Sequence, residues 1–291
     1  LNSLAKAAPV IFVLLWSTGF VGSKLGAPYI TPMAFLTIRF VLVIPVLLVL
    51  ALLLSKSWPK SHAMVVHCIV TGMLVHGIYL GGVFWAIKQG MPAGASSIIV
   101  GLQPVLTALI AVSLLGETIS RKHWLSMAIG AAGLVLVLGP RFDTSGTGIS
   151  AITVTVVLAS VIAISLGTVY QKRFVPQTNL LTATIWQYVG ALLVTIPLSL
   201  FESWQITWSG DLIFAMAWLV LVLSVGAVLL LMLLIREGAV SQVASLFYLV
   251  PVATAVESYF LFGEKLLPIQ MAGMALVIGA VLTIRNTTKK S

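Results

Sequence analysis

The chain has 291 residues, 60% hydrophobic and only 8% charged, with a mean hydropathy of +1.14. Soluble domains carry about a quarter charged residues, so this composition excludes an ordinary soluble enzyme or binding module and indicates a polytopic helical membrane protein. The formal net charge of +9 does not indicate nucleic acid, because the basic residues lie in short segments between apolar spans. A single cysteine, Cys68, excludes an intrachain disulfide and cysteine-rich metal sites.

In chain order the apolar segments predict ten spans, at roughly 7–24, 32–54, 63–87, 92–116, 122–139, 149–171, 180–201, 212–235, 239–262 and 268–286. The chain starts at Leu1 without a methionine, so some upstream residues are expected. The first segment has a superficial likeness to a signal peptide, but nine spans follow it and Trp16-Ser17-Thr18 sits mid-span, so a retained first helix is expected. Connections are short, and the longest polar interruption, near Pro140–Gly148, cannot hold a soluble domain.

Orientation follows from Lys and Arg placement. One side holds Lys6, Lys56, Lys60, Arg121, Lys122, Lys172, Arg173, Arg236, Arg285, Lys289 and Lys290; the other holds only Lys24, Lys88, Arg141 and Lys265. Both termini are therefore expected in the cytoplasm of a bacterial inner membrane. Trp204 and Trp208 suit an interfacial belt before span eight, and Trp58, Trp85 and Trp124 near span ends have the same explanation.

Two stretches share a skeleton. Lys88 to Glu117 and Arg236 to Glu264 each carry a glycine near the start, a proline, and Gly-Glu beginning twelve residues after that proline. At 1.5 Å per residue this is about 18 Å, which puts each proline near the middle of a membrane-length helix. A shift of 148 places Lys24 and Pro28 on Lys172 and Pro176, Lys88 on Arg236 and Gly90 on Gly238. A shift of 147 places Pro104 on Pro251 and Gly116-Glu117 on Gly263-Glu264, and one of 146 places Gly133 on Gly279. With five spans per half, the expected organisation is an inverted repeat, 1–143 and 144–291, of the kind that holds a site near the midplane. The small-residue spans five and ten are expected as outer supports.

Two five-span halves, each with G-x(12–13)-P-x(11)-G-E followed by a small-residue-rich helix, resemble the drug/metabolite transporter superfamily. The chain is similar to its ten-helix EamA-type exporters and most resembles the YddG-like amino-acid exporters. The resemblance implies an all-α membrane fold, export of small metabolites, and no cofactor.

The residues at membrane depth give the site expectations. Trp16 and Ser17 lie mid-span on one; His76 and Tyr79 share a face of span three; Gln103 lies on span four in a stripe with Ser96, Val100 and Thr107. Trp186, with Gln187 and Tyr188, lies on span seven, and Tyr248 continues a stripe with Ser241 and Ser245 on span nine. Together these suit a midplane pocket. The bland alternatives are hydroxyls bonded to their own backbone, core tyrosines, and an interhelical hydrogen bond for His76. Pro104 and Pro251 leave unpaired carbonyls on Val100 and Phe247, so they read as a hinge or cavity bend, against a simply kinked packing helix. Arg39 and Glu257, opposite charges at comparable depth, read as a pair or outer gate, or as snorkelling side chains.

Six of the seven acids lie in loops or at span ends and no HExxH-like cluster occurs, which disfavours an intramembrane enzyme and a resident metal. No filter sequence or continuous polar path suggests a channel. The absence of a midplane carboxylate disfavours an organic-cation exporter, kept as the alternative, and favours neutral or aromatic amino acids and related metabolites. The expected partners are a small-molecule substrate and the lipid bilayer, with the protein working as a monomer.

Overall fold

The computed structural model describes residues 2–91, 96, 99–138, 150–176, 178–238, 240–262 and 267–288. Gly263-Glu264, Arg141, Lys265 and the Pro140–Gly148 connection fall outside them. The described residues form ten helices and no strand: α1 (Asn2–Gly26), α2 (Pro32–Leu53), α3 (His62–Lys88), α4 (Gln103–Leu115), α5 (Arg121–Leu138), α6 (Ala151–Phe174), α7 (Leu180–Ser199), α8 (Gly210–Glu237), α9 (residues 240–262) and α10 (Pro268–Thr288). Seven of them, α1 to α3 and α6 to α9, contain stretches long and apolar enough to cross a membrane; α4 and α10 contribute shorter apolar helices.

Each helix start needs acceptors for its first amides, a need sharpened next to hydrocarbon. Ser61, Ser150, Asn179 and Ser209 cap α3, α6, α7 and α8 from within their own segments. Two glutamates do the same from distant parts of the chain. Glu202 accepts from the Met33 and Ala34 amides at 3.0–3.1 Å and so caps α2. Glu117 accepts from Val240 N–H at 2.8 Å, and from the Ser241 amide and hydroxyl, and so caps α9. Gly116, at φ 68°, ends α4 in the left-handed conformation and turns the chain so that Glu117 can reach α9. Lys172 donates to the carbonyls of Arg236 and Gly238 at 2.8 and 3.0 Å, a cation at the C-terminus of α8.

These contacts define two ends of the bundle. The terminal end holds the α2–α3, α4–α5, α6–α7 and α8–α9 connections; the far end holds the α1–α2 and α7–α8 connections, tied by Thr207 N–H to Tyr29 C=O at 2.9 Å. Eight helices make a closed ring in which neighbours touch in the order α1, α8, α2, α7, α3, α6, α4, α9 and back to α1. Exchanging each helix for the one five places along returns the same ring. Helices α5 and α10 lie outside it and pack on each other, where Gly133 meets the Gly273 carbonyl, Leu276 and Val277.

Two breaks recur at matching places. Helix α3 contains a π stretch, Met73–Ile78, and α8 another, Leu219–Ala227; a 148-residue offset carries the first onto 221–226, inside the second. Pro104 opens α4 directly after a turn at 101–102, and Pro251 follows a 3₁₀ turn at Leu246–Tyr248 in α9. At both prolines the missing N–H falls where helical bonding is already interrupted.

Close backbone approach joins α3 to α7. A Cβ on Gly72 would overlap the backbone of Gln187, and one on Gly190 would overlap the Ile69 carbonyl, whereas one on Gly279 would meet open space. Gly72→Ala and Gly190→Ala should each cost about 1–3 kcal/mol of stability, read as a lowered thermal midpoint in detergent. Gly279→Ala should leave it unchanged. Equal midpoints in all three would contradict this packing.

Candidate functional site

At one pole of the ring lies the seam between α2 and α7. There Phe40 and Tyr188, 148 residues apart, stack on each other with ring centroids 5.3 Å apart and planes at 24°. The same offset carries Arg39 onto Gln187 and His76 onto Ser224. These four residues make the same contact twice: His76 Nε2 lies 3.3 Å from Gln187 Oε1, and Arg39 Nε donates to Ser224 Oγ at 2.8 Å. Tyr188 joins the two, its ring 4.9 Å from that of His76 and its hydroxyl donating to the Ser224 carbonyl at 2.7 Å. Gln187 then donates to Gln171 Oε1 at 2.8 Å, extending the buried polar chain to α6.

Beside this seam lies a small internal cavity of about 30 Å³ between α1, α2, α3 and α8, lined by Trp16, Phe20, Arg39, Tyr79, Phe84 and Leu223 among others. That space suits water rather than a metabolite, which needs it to widen. A narrower void shares Ser23 and Phe84 with it and runs past Ile30 and Phe35 to Lys88, at the far end. Trp16 also packs against Phe12 and, edge-on, Phe247 at 5.2 and 5.5 Å, tying the cavity wall to α9.

The structure sorts the expected residues. Trp16, Tyr79 and Arg39 come together in the cavity lining. His76 is fully buried but turns to Gln187, so the face it was expected to share with Tyr79 is split. The π stretch closes i→i+5 turns there, and the i,i+3 alignment of an α-helix is lost. Gln103 is buried with neither amide atom bonded to protein; Thr107 Oγ1, on the same helix, and Ser96 Oγ, before the turn at 101–102, are likewise buried and unpartnered. Buried unpartnered polar groups of this kind call for an explanation.

Four of the expected placements differ in the structure. Trp186 packs with Cys68, Val175 and Ala183 near the terminal end, while Gln187, about 100° further round the helix, takes the inward position. Tyr248 points to the peripheral pair: its hydroxyl donates to the Met127 carbonyl at 3.0 Å and its ring lies against Gly130, because the 3₁₀ turn rotates it off the Ser241 stripe. Ser17 serves as a partner of Glu257, at 2.5 Å, and of the Leu14 carbonyl. Arg39 and Glu257 are not a pair, since Arg39 is held by Ser224 and Glu257 by Ser17. Sequence reading passed over Ser224, a lone serine in an all-apolar run whose only signal is its register with His76.

Gln187→Leu leaves both His76 and Gln171 without a partner, about 1–3 kcal/mol for each, whereas Tyr248→Phe removes one bond of about 1 kcal/mol. The thermal midpoint should fall further in Gln187→Leu. A smaller fall than in Tyr248→Phe would contradict the polar chain.

The sequence profile of the EamA-like transporter family matches residues 7–139 and again 151–286. The chain is 27% identical over 290 residues to an uncharacterized transporter, YvbV, of Bacillus subtilis, covering 95% of this chain and 90% of that protein. It is 23% identical over 287 residues to the "Probable amino-acid metabolite efflux pump" of Salmonella typhimurium, covering 94% and 91%. It is 26% identical over 249 residues to an S-adenosylmethionine uptake transporter of Rickettsia bellii, covering 84% and 81%. A solved crystal structure superposes with a TM-score of 0.80 over 99% of this chain and 98% of its own at 18% identity, which shows a shared fold. With the profile matched over both halves, the chain is a multi-pass membrane protein and belongs to the EamA-like transporter family.

Proposed function

We propose that this transporter exports neutral and aromatic amino acids and related metabolites by alternating access. In this reading the two halves are inverted repeats that exchange which end of the cavity is open, and both termini are cytoplasmic. The observation that carries the reading is the cavity lining: among the described residues, aromatic and aliphatic walls around a single charge, Arg39, with no carboxylate. A guanidinium has five N–H donors, of which Nε–H is spent on Ser224, and it is suited to a carboxylate. Trp16, Phe20, Tyr79 and Phe84 then take the side chain. The unpartnered Gln103 stripe supplies further polar groups once the cavity widens.

The relatives' names add a chemical point. S-adenosylmethionine carries an α-amino-acid head, and the other name points to the chemistry of amino acids, although one protein is named for efflux and the other for uptake. The head is therefore the feature assigned to Arg39.

The test is uptake into proteoliposomes of labelled aromatic and neutral amino acids, their methyl esters, and cationic dyes. Amino acids should be carried and the esters, which lack the carboxylate, should not. Arg39→Gln should lower amino-acid uptake at sub-saturating concentration by about tenfold or more, the loss of one charge-assisted hydrogen bond. Trp16→Ala and Tyr79→Ala should weaken aromatic substrates more than small ones. Carriage of cationic dyes with no amino acid would establish the organic-cation alternative instead. Unchanged transport in His76→Ala and Gln103→Ala would leave those residues with structural roles alone.

A further inference from the structure

Two lateral grooves occupy matching places in the two halves. One lies between α3, α6 and α7, has a volume of about 450 Å³, is walled by Gly81, Gly82 and Trp85, and carries Glu202 at the far end. The other lies between α2, α7 and α8, has a volume of about 540 Å³, and is walled by Leu229, Leu230 and Leu233. The 148-residue offset carries each of the first three wall residues onto one of the second three. The grooves therefore share a position but differ in chemistry. One has small walls and an acidic mouth; the other has leucine walls and a basic mouth formed by Lys56 and Arg236.

The leucine groove has the dimensions of one lipid leaflet. It runs along α8 from Val225 to Arg236, eleven residues or about 16 Å, against a hydrocarbon core of about 30 Å. Its deep end is wholly apolar and its polar groups gather at the terminal end, where Asn179 joins the two cations. Asn179 Oδ1 accepts from Leu181 N–H at 3.1 Å, which leaves its amide N–H₂ group as a donor. Arg236 touches Glu237 at 3.4 Å, but both side chains are more than a third exposed, at 38% and 67%, and such a pair is weak.

We propose that this groove binds an anionic phospholipid, one acyl chain lying along Leu229, Leu230 and Leu233 and the phosphate meeting Lys56, Asn179 and Arg236. The matching groove discriminates against the same lipid, because Glu202 stands at its mouth. The site also abuts the transport centre. Val225 and Gly226 belong to the π stretch of α8 and directly follow Ser224, the residue that holds Arg39. A bound acyl chain therefore backs the wall against which Arg39 is fixed.

The test is native mass spectrometry of the purified protein offered equal amounts of palmitoyl-oleoyl phosphatidylglycerol and phosphatidylcholine, with inorganic phosphate and glycerol phosphate as separate arms. The protein should retain one phosphatidylglycerol with a preference of about 30-fold, about fivefold for each cation. The preference should fall close to unity in Lys56→Gln/Arg236→Gln. Leu230→Trp, which fills the groove and leaves the cations, should abolish retention of that lipid, and Lys56→Gln alone gives an intermediate value if the double variant does not fold. Equal retention of the two lipids, or a preference that survives the double variant, overturns the proposal. Competition by millimolar inorganic phosphate at full strength also overturns it, since the site would then be one for a free anion.

Discussion

The structure depends on the requirement that polar groups at membrane depth find partners inside the protein. The seam between α2 and α7 answers it with one arrangement used twice. Arg39 on α2 reaches Ser224 on α8, and Gln187 on α7 reaches His76 on α3, with Phe40 and Tyr188 stacked between them. Each hydrogen bond crosses from one half of the chain to the other, so neither half can satisfy its buried groups alone. The near contact of Gly72 and Gly190 with opposing backbone brings α3 close enough to α7 for the His76 contact to form. The cavity borders this seam, and it takes its one charge from the seam's own network.

The same crossing governs the helix ends. Glu117, from the first half, supplies acceptors to α9 in the second, and Glu202, from the second half, supplies them to α2 in the first. A carboxylate at a helix N-terminus is favoured by both the free amides and the helix dipole. Two of the seven acids are thus committed to architecture. Lys172 holds the other side of the α8–α9 turn by its carbonyls. The terminal end of the bundle is therefore fastened by opposite charges on the two faces of one turn.

Much of this was legible in the sequence and some was not, for identifiable reasons. The ten segments follow from length and hydropathy, and the register between halves follows from glycine, proline and Gly-Glu landmarks. Facing was harder. Helix α2 is apolar on nearly every side, so nothing in its pattern tells where Arg39 points; only Ser224, on a helix 185 residues away, decides it. Trp186 and Gln187 differ by one step of about 100°, and the tryptophan drew the assignment because it is the more conspicuous side chain. His76 with Tyr79, and Ser241 with Tyr248, were aligned on ideal α-helices. The π stretch in α3 and the 3₁₀ turn in α9 shift those faces, and only the second is marked in the sequence, by Pro251. The offset that found the repeat would also have found the pairing of His76 with Ser224 had it been applied to polar residues as well as to landmarks.

The placement of the breaks bears on how the proposed cycle runs. Among the ring helices α1, α2, α6 and α7 stay α-helical throughout, although Pro9, Pro45 and Pro197 lie inside three of them, whereas α3 and α8 carry π stretches and α4 and α9 carry breaks beside Pro104 and Pro251. Within the ring, α2 and α7 adjoin each other at one pole and α4 and α9 adjoin at the opposite pole. Bending is easiest where the regular hydrogen-bond ladder is already broken. In the proposed cycle the pair joined by the Phe40–Tyr188 stack serves as the fulcrum, and the pair broken beside Pro104 and Pro251 is the part that yields. In that cycle, rocking about the seam opens the cavity on the Arg39 side while the Gln187–His76 contact stays covered. The Glu117 cap on α9 then ties the two yielding helices to each other at the terminal end.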